Sequence, residues 1–148
     1  YPMDTAFKRR WEVEYIGIDE GAEGVNKYII PMGMKQHRKY VRWNELRTRI
    51  NDILLSEECK VNEDKLLGPY FLSKNILEKA LLEEDKFVKA FESKVLMYLF
   101  EDVMKMRPAN IFKGHKGNMV FSDICATYEE IGEELFGITD ISYEDKPI

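Results

Sequence analysis

The 148-residue sequence has little cysteine, little histidine and no long apolar run. Its two cysteines, Cys59 and Cys125, are too few for a disulfide framework, and reduced thiols in a cytoplasmic protein are the simplest interpretation. No run approaches the roughly 18 apolar residues that a membrane-spanning helix needs, and no signal peptide is recognisable. His37 and His115 stand apart from cysteines and from carboxylate pairs, so we expect no zinc site.

The sequence also lacks Gly-x-x-x-x-Gly-Lys-Ser/Thr, the phosphate cradle of P-loop NTPases. We therefore expect that this chain does not hydrolyse a nucleoside triphosphate alone. No internal repeat and no Ser-His-Asp or Cys-His spacing stands out. The chain begins Tyr1-Pro2-Met3-Asp4, without an initiator methionine, which indicates a piece excised from a longer protein.

The composition is that of a folded, acidic domain. Hydrophobic residues make up 45% of the chain and aromatic residues 12%, which is enough for a core. Charged residues reach 33% with a net charge of −5. That balance argues against nucleic-acid binding by the whole chain, because such binding needs a broad basic face. The length allows one domain, or one small domain plus a fragment of another.

The most informative stretch is Asp-Thr-Ala-Phe-Lys-Arg-Arg-Trp at residues 4–11. Asp4 is a good N-cap, because its carboxylate can accept from the free N–H groups of a first helical turn. About one and a half turns then end in Arg9 and Arg10, and the alternating residues 11–16 predict a half-buried strand. Arginine is permanently charged, and its planar fork of donors suits phosphate. The competing interpretation is a solvated helix end beside a carboxylate.

The rest of the chain predicts helices. The clearest is an amphipathic helix from Trp43 to Leu55, with Arg47, Arg49 and Asp52 on the face opposite the apolar residues. Ser73 is a candidate N-cap for a helix over 74–82. A further helix is predicted over 83–106, where acidic residues open it and suit its N-terminal dipole. It carries an apolar stripe at 87, 91, 95, 98, 99, 103 and 106. The last predicted helix is capped by Ser122 and ended by Gly137.

The connections are predicted from turn and breaker residues. Tyr28–Ile30 is a short edge strand ended by Pro31 within an otherwise irregular connection. Gly68-Pro69 forces a turn flanked by leucines and aromatics. We expect residues 113–117 to form a mobile surface loop and residues 138–148 to form a frayed acidic tail.

One basic cluster interrupts the acidic sequence. It contains Lys35, Arg38, Lys39 and Arg42, with Tyr40 and Trp43 interleaved. Cations mixed with aromatics can bind single-stranded nucleic acid, through backbone charge and base stacking. A solvated strand or linker is the alternative interpretation.

Residues 3–11 resemble the segment that follows sensor 1 in AAA+ NTPases. The resemblance is strongest to the McrB-type proteins of modification-dependent (5-methylcytosine) restriction. In that family an Asp-x-Ala-x-(Arg/Lys)-Arg-Arg-aromatic run carries the arginine finger, and here Lys8 stands where arginine is common. Similar features continue to residue 137: the helix from Trp43, the Gly68-Pro69-Tyr70-Phe71 turn, the Phe-x-x-Lys-Val-Leu-x-Tyr-Leu helix and Phe121-Ser122-Asp123-Ile124.

The resemblance implies a fold that is mainly α with a small β segment. It would be an AAA+ lid-type helical domain preceded by the last strand of an α/β P-loop core. Residues 1–18 would end the core, residues 19–42 would be a loop and short-strand connection, residues 43–137 would form the lid, and residues 138–148 an acidic tail.

The resemblance also implies roles for four residues. Arg9 or Arg10 would be the finger that acts in trans on the γ-phosphate held by a neighbouring subunit, and Asp4 would orient it. Lys65 would contact phosphate in the manner of sensor 2, or else it is a surface lysine. GTP or ATP with magnesium would bind to the parent protein, and the fragment would hold no cofactor and no metal. Partners would be the neighbouring subunits of a ring, a McrC-like nuclease subunit, and DNA through a separate domain of the parent.

Two other classes of function remain open at this stage. One is a stand-alone acidic module that binds a protein partner, with Arg9 and Arg10 as surface charges. The other is a nucleic-acid-binding domain that uses residues 35–43. The residues do not distinguish GTP from ATP, and they do not identify the target modification or the ring size.

Overall fold

The structure is a computed structural model that describes residues 22–105 and 111–146. Asp4, Arg9, Arg10 and the predicted strand over 11–16 lie outside the described residues. The described part is mainly helical and contains a two-stranded antiparallel sheet. Its helices and strands are α1 (Ala22–Val25), β1 (Ile29–Met32), β2 (Lys39–Arg42), α2 (Trp43–Leu55), α3 (Lys74–Lys79), α4 (Glu84–Phe91) and α5 (Phe121–Ile131).

Short 3₁₀ turns and π turns extend or connect these elements. The 3₁₀ turns cover Lys35–His37, Glu63–Lys65 and Gly132–Phe136. Beyond Phe91 the long helix continues through π turns at Glu92–Leu96 and Leu99–Val103. The helical segment predicted over 83–106 is therefore confirmed as far as the described residues extend.

Strands β1 and β2 form a hairpin in which Ile30 lies opposite Val41 and Pro31 lies opposite Tyr40. Pro31 does not end the first strand as predicted, because the strand continues to Met32. Proline is tolerated at a sheet edge, where its missing N–H is not needed for pairing. The second strand, Lys39–Arg42, falls in the basic cluster, for which a strand or a linker was the alternative to nucleic-acid binding.

Helix α2 has the predicted bounds, Trp43–Leu55. Its apolar face lies in the core, and Trp43, Leu46, Ile50 and Leu54 are fully buried. Arg47 was predicted on the solvent face, but it is also fully buried. Periodicity places the apolar side chains correctly, yet it does not identify a cation that has partners inside the protein.

The helix pair α3 and α4 follows the predicted order with shifted ends. Ser73 caps α3, because its side chain accepts from the backbone N–H of Ile76 at 3.2 Å. This helix ends at Lys79 rather than at residue 82. The predicted stripe of α4 and its π continuation is confirmed as core, since Phe87, Phe91, Val95, Leu99 and Val103 are buried.

Helix α5 differs from its prediction at both ends. It begins at Phe121 after an extended Val120, and Ser122 is not its cap. It ends at Ile131, because Gly132 adopts a φ of 60°, and a 3₁₀ turn then runs to Phe136 before Gly137 at φ 80°. A positive φ ends helical geometry, and glycine adopts it at no steric cost.

The loop over 113–117 is packed against the protein, contrary to the predicted mobile loop. A Cβ added at Gly114 would lie 1.9 Å from the carbonyl oxygen of Glu134, so only glycine fits this approach. His115 is 9% exposed. Its two ring nitrogens contact Thr127 Oγ1 at 2.8 Å and the Asn118 carbonyl at 2.6 Å.

The C-terminal segment is likewise docked rather than frayed through residue 146. Ile138 and Ile141 are only 2% and 4% exposed. Tyr143 forms an antiparallel bridge with Val41, at the free side of β2. Two isoleucines in an acidic stretch are enough to fix the segment against the core. Within the described residues, no helix has the length and apolarity that crossing a membrane requires.

Candidate functional site

Of the predicted site residues, the structure describes Lys65, while Asp4, Arg9 and Arg10 lie outside the described residues. Lys65 ends the 3₁₀ turn Glu63–Lys65 and is half-buried. Its carbonyl oxygen accepts a hydrogen bond from the Tyr98 hydroxyl at 2.8 Å. The backbone at Lys65 is therefore fixed to the long helix, and this contact sets the base of the lysine side chain in place.

The Gly68-Pro69 turn that follows is held by a polar network inside the protein. Asn51 donates to the Leu67 carbonyl at 2.9 Å and accepts from the Leu67 N–H at 2.8 Å. Arg47 Nη1 donates to the same carbonyl at 2.9 Å. Trp43 Nε1 donates to the Pro69 carbonyl at 2.7 Å. These contacts hold the backbone on both sides of Gly68.

The network follows from the spacing of three residues on α2. Trp43, Arg47 and Asn51 are four residues apart, so their side chains share one helix face. Arg47 is further bonded to Asn44 Oδ1, at 3.0 Å from Nε and 2.7 Å from Nη2. A buried guanidinium is costly unless its donors are satisfied, and here the turn and the helix supply acceptors.

The turn presents an aromatic surface beside Lys65. Tyr70 is 46% exposed. The Phe71 ring lies 4.9 Å from the ring of Tyr98, the residue that also binds the Lys65 backbone. Burial, then Asp102 and Asp64, raise the pKa of Tyr98, so its hydroxyl remains a donor at neutral pH. We call Lys65, Tyr70 and Phe71 the turn platform. It contains one cation and one exposed aromatic ring.

Three of the four cations in the basic cluster at 35–42 pair with carboxylates of the protein. Arg38 pairs with Glu84 at 2.5 Å and with Asp85 at 2.7 Å, and its side chain is 10% exposed. The Tyr40 hydroxyl donates to Glu84 at 2.8 Å. Trp43 is fully buried, so its ring cannot stack on a base.

Two further cations of this cluster, Lys39 and Arg42, are paired in the same way. Lys39 pairs with Glu133 at 2.8 Å and Glu134 at 3.2 Å, and Arg42 pairs with Glu144 at 2.9 Å. The nucleic-acid interpretation of residues 35–43 therefore loses three of the four cations, Arg38, Lys39 and Arg42, and one of the two aromatics on which it depended.

A buried acidic pair joins α4 to α5. Glu92 is 6% exposed, and its neighbour Lys89 lies 3.6 Å from Glu92 Oε1 and 2.9 Å from Glu129 Oε2. Burial, then the contact with Glu129, raise the pKa of Glu92 to about 8. Burial and then Glu92 raise the pKa of Cys125 to about 12, so this thiol is not a nucleophile at neutral pH. Glu92 and Glu129 lie on different helices, so no spacing in the sequence reveals the pair.

A cleft of about 110 Å³ lies between α3 and α4. Its lining residues are Asn75, Ile76, Lys79, Glu83, Lys86, Phe87 and Ala90. Small-molecule pockets usually measure about 300 to 1,000 Å³, so this cleft is too small for a nucleotide. Nor do three or more histidine, cysteine or acidic side chains converge to hold a metal anywhere in the described part.

Comparison with known proteins gives one informative match. The chain is 38% identical over 128 residues to the Type II restriction enzyme BsuMI component YdiS of Bacillus subtilis (strain 168). The chain resembles part of a restriction enzyme component. The match covers 86% of this chain and 33% of the relative, so the chain spans about a third of that protein's length. No protein-family model and no solved structure matches the chain.

Proposed function

We propose that this chain is part of a component of a DNA restriction system. The observation that carries the proposal is its 38% identity with the BsuMI component YdiS over 86% of its length. Similarity at that level over 128 residues extends across the helices that build the core, rather than a single short motif. The chain spans about a third of that relative's length, so the role proposed is that of one part.

The more specific proposal is an AAA+ NTPase of the McrB type, in which this chain supplies the arginine finger and the helical lid. Residues 3–11 support it through their match to the family's arginine run. Charge spreads over the phosphoryl oxygens in the transition state, so an arginine from a neighbouring subunit is worth roughly 10³ to 10⁵ in rate. Hydrolysis would then depend on assembly, since no subunit completes its own site.

The turn platform is consistent with this role. Trp43, Arg47 and Asn51 fix the backbone at Leu67 and Pro69, and Tyr98 fixes it at Lys65, so the platform residues lie on a held backbone. A lid closing over a nucleotide needs such prepositioned groups, because flexible groups lose binding energy when they become ordered. GTP or ATP with magnesium would be held by the P-loop of the parent protein, and a McrC-like nuclease subunit would be driven by the ring.

The arginine-finger proposal is tested in the full-length protein with Arg9→Ala and Arg10→Ala. The matched control is Lys8→Ala, which removes a neighbouring cation from the same run. We expect one arginine variant to retain nucleotide binding and ring assembly while its stimulated turnover falls by about 10³-fold or more. The measurements are nucleotide affinity, sedimentation and steady-state hydrolysis. Normal turnover in both arginine variants, with assembly intact, contradicts the finger.

A protein-interaction module is the second candidate, and one surface feature favours it. Leu82 is 81% exposed beside the small cleft between α3 and α4. A partner protein bound at this surface would bury the Leu82 side chain, which this chain leaves exposed. The gene sequence upstream of Tyr1 separates the candidates: a P-loop, a Walker B strand and an asparagine before this segment support the NTPase, and their absence supports the module.

A further inference from the structure

The outer edge of β2 is covered by residues 142–146, which we call the C-terminal strap. Tyr143 bridges to Val41, and the Glu144 N–H donates to the Tyr40 carbonyl at 2.8 Å. The opposite edge of the described sheet is β1, which contains Pro31 and packs against α4. In the described part of the chain, β2 therefore offers the edge at which a further strand can pair.

The strap is attached mainly through polar contacts that face solvent. Glu144 pairs with Arg42 at 2.9 Å, and the Arg42 side chain is 45% exposed. Lys146 pairs with Glu84 at 2.9 Å and is itself 56% exposed. The buried isoleucines of this segment, Ile138 and Ile141, both precede the strap. Exposed ion pairs contribute little, so the strap can open locally while the core stays folded.

A buried carboxylate lies beneath the strap with one acceptor unused. Glu133 is fully buried, and its Oε2 accepts from Lys39 at 2.8 Å and from the Tyr143 hydroxyl. Its Oε1 has no hydrogen-bond partner among the described residues. The Lys39 ammonium also lies 5.6 Å from the centre of the Tyr143 ring. This arrangement recognises a hydroxyl-bearing aromatic side chain, and it retains capacity for one more donor.

We propose that the strap is displaceable and that the β2 edge receives an extended acidic segment of a partner protein by strand addition. The incoming backbone pairs with Tyr40 and Val41, as the strap does now. An acidic side chain meets Arg42, and a tyrosine at the preceding position reaches Glu133 and Lys39. Main-chain pairing supplies affinity in this mode, and the flanking side chains supply specificity. This inference does not depend on the NTPase proposal.

The test uses the full chain and a fluorescent synthetic peptide of residues 138–146, Ile-Thr-Asp-Ile-Ser-Tyr-Glu-Asp-Lys, as the acidic probe. Tyr143→Ala removes the contacts with Glu133 and Lys39 and favours the open strap. We expect it to bind the peptide about tenfold or more tighter than the wild type, because a competing closed state is removed. Adding Arg42→Glu should abolish that gain. Met119→Ala, which shortens an exposed side chain outside the strap and the turn platform, should leave the affinity unchanged.

Amide hydrogen exchange at Tyr40 and Arg42, whose backbone groups face the strap, monitors the edge in the same variants. Tyr143→Ala should speed exchange at these amides while the core amides of α2 keep their protection, which also shows that the variant is folded. Faster exchange without tighter peptide binding overturns the proposed docking edge. Unchanged exchange overturns the displaceable strap, and tight binding that survives Arg42→Glu overturns the acidic partner.

Discussion

Arg47 illustrates how a single residue connects the sequence to the candidate site. Its side chain is fully buried on α2, where it donates to Leu67 and Asn44. The cost of desolvating the charge is offset by these hydrogen bonds to backbone and side-chain oxygens. Because the same helix face also carries Trp43 and Asn51, three consecutive turns of one helix fix the backbone of the Gly68-Pro69 turn.

Glu92 makes stability depend on pH. Burial and Glu129 raise its pKa to about 8, above the value of about 4.3 in an unfolded chain. The folded state therefore holds this proton more tightly. The stabilisation is fully present below about pH 4, and it is lost as the pH rises towards 8. The pKa of Glu129 is lowered by its contact with Glu92, so its own effect falls in the acid range.

We therefore expect Glu92→Gln to weaken the dependence of the unfolding free energy on pH. Glutamine cannot ionise, so the variant should lose less unfolding free energy than the wild type between about pH 5.5 and 8.5. Urea denaturation at both pH values measures the difference. Glu130→Gln, which changes the exposed neighbour of Glu129, should retain the wild-type profile. If the unfolding free energy changes equally with pH in Glu92→Gln and in the wild type, Glu92 does not hold a proton in the folded state at neutral pH.

At the scale of elements, glycine decides where α5 ends. Gly132 has a φ of 60°, and a Cβ added there would lie 3.3 Å from Met32 Cβ on β1. The helix cannot continue with that backbone angle, so the chain turns and Glu133 points towards Lys39. One glycine thus positions the carboxylate that the C-terminal strap covers.

Gly132→Ala should therefore be destabilising by about 1 kcal/mol or more, since alanine at positive φ is strained and the space is tight. Gly68→Ala is the matched control, because a Cβ at Gly68 meets no atom within 4 Å. We expect its unfolding free energy to stay within about 0.5 kcal/mol of the wild type. Thermal or urea unfolding of the two variants makes the comparison. A Gly132→Ala protein as stable as the Gly68→Ala protein would refute the strain.

The elements that the sequence predicts well are those with a local cause. Periodic apolar residues define α2 and the stripe of α4, and the Ser73 side chain caps α3 within its own first turn. The elements that the sequence does not predict depend on residues far away in the chain. The 3₁₀ turn after Gly132 and the pairing of Tyr143 depend on strands about 100 residues earlier in the chain.

In the candidate site, too, the features with a local cause are predictable from the sequence and those with distant partners are not. The Gly68-Pro69 turn and its flanking aromatics are visible in the sequence, because glycine and proline mark the turn directly. The partners that fix it are not, since Asn51 and Leu67 are 16 residues apart and bond through side chain and backbone. The pairing of Glu92 with Lys89 and Glu129 across α4 and α5 is equally hidden.

For the whole molecule, the distribution of charge matters more than the net charge of −5. The basic cluster of residues 35–42 is surrounded by carboxylates from three separate parts of the chain: Glu84 and Asp85, Glu133 and Glu134, and Glu144. These ion pairs connect the hairpin to α4, to the turn after α5 and to the C-terminal strap. Cations that cross-link the fold in this way are not free to release counterions from DNA.

The chain should therefore bind single-stranded DNA more weakly than the 10⁻⁴ to 10⁻⁶ M that is typical, in order of magnitude, of non-specific binders at physiological salt. Fluorescence anisotropy with a labelled oligonucleotide, titrated at several salt concentrations, measures this affinity for single-stranded DNA. The variant Glu134→Gln/Glu144→Gln removes two of the neutralising carboxylates, and it should gain salt-dependent affinity because Lys39 and Arg42 lose ion-pair partners. Micromolar binding by the wild type that falls steeply with salt would restore the nucleic-acid interpretation of residues 35–43, because only unpaired cations give that dependence.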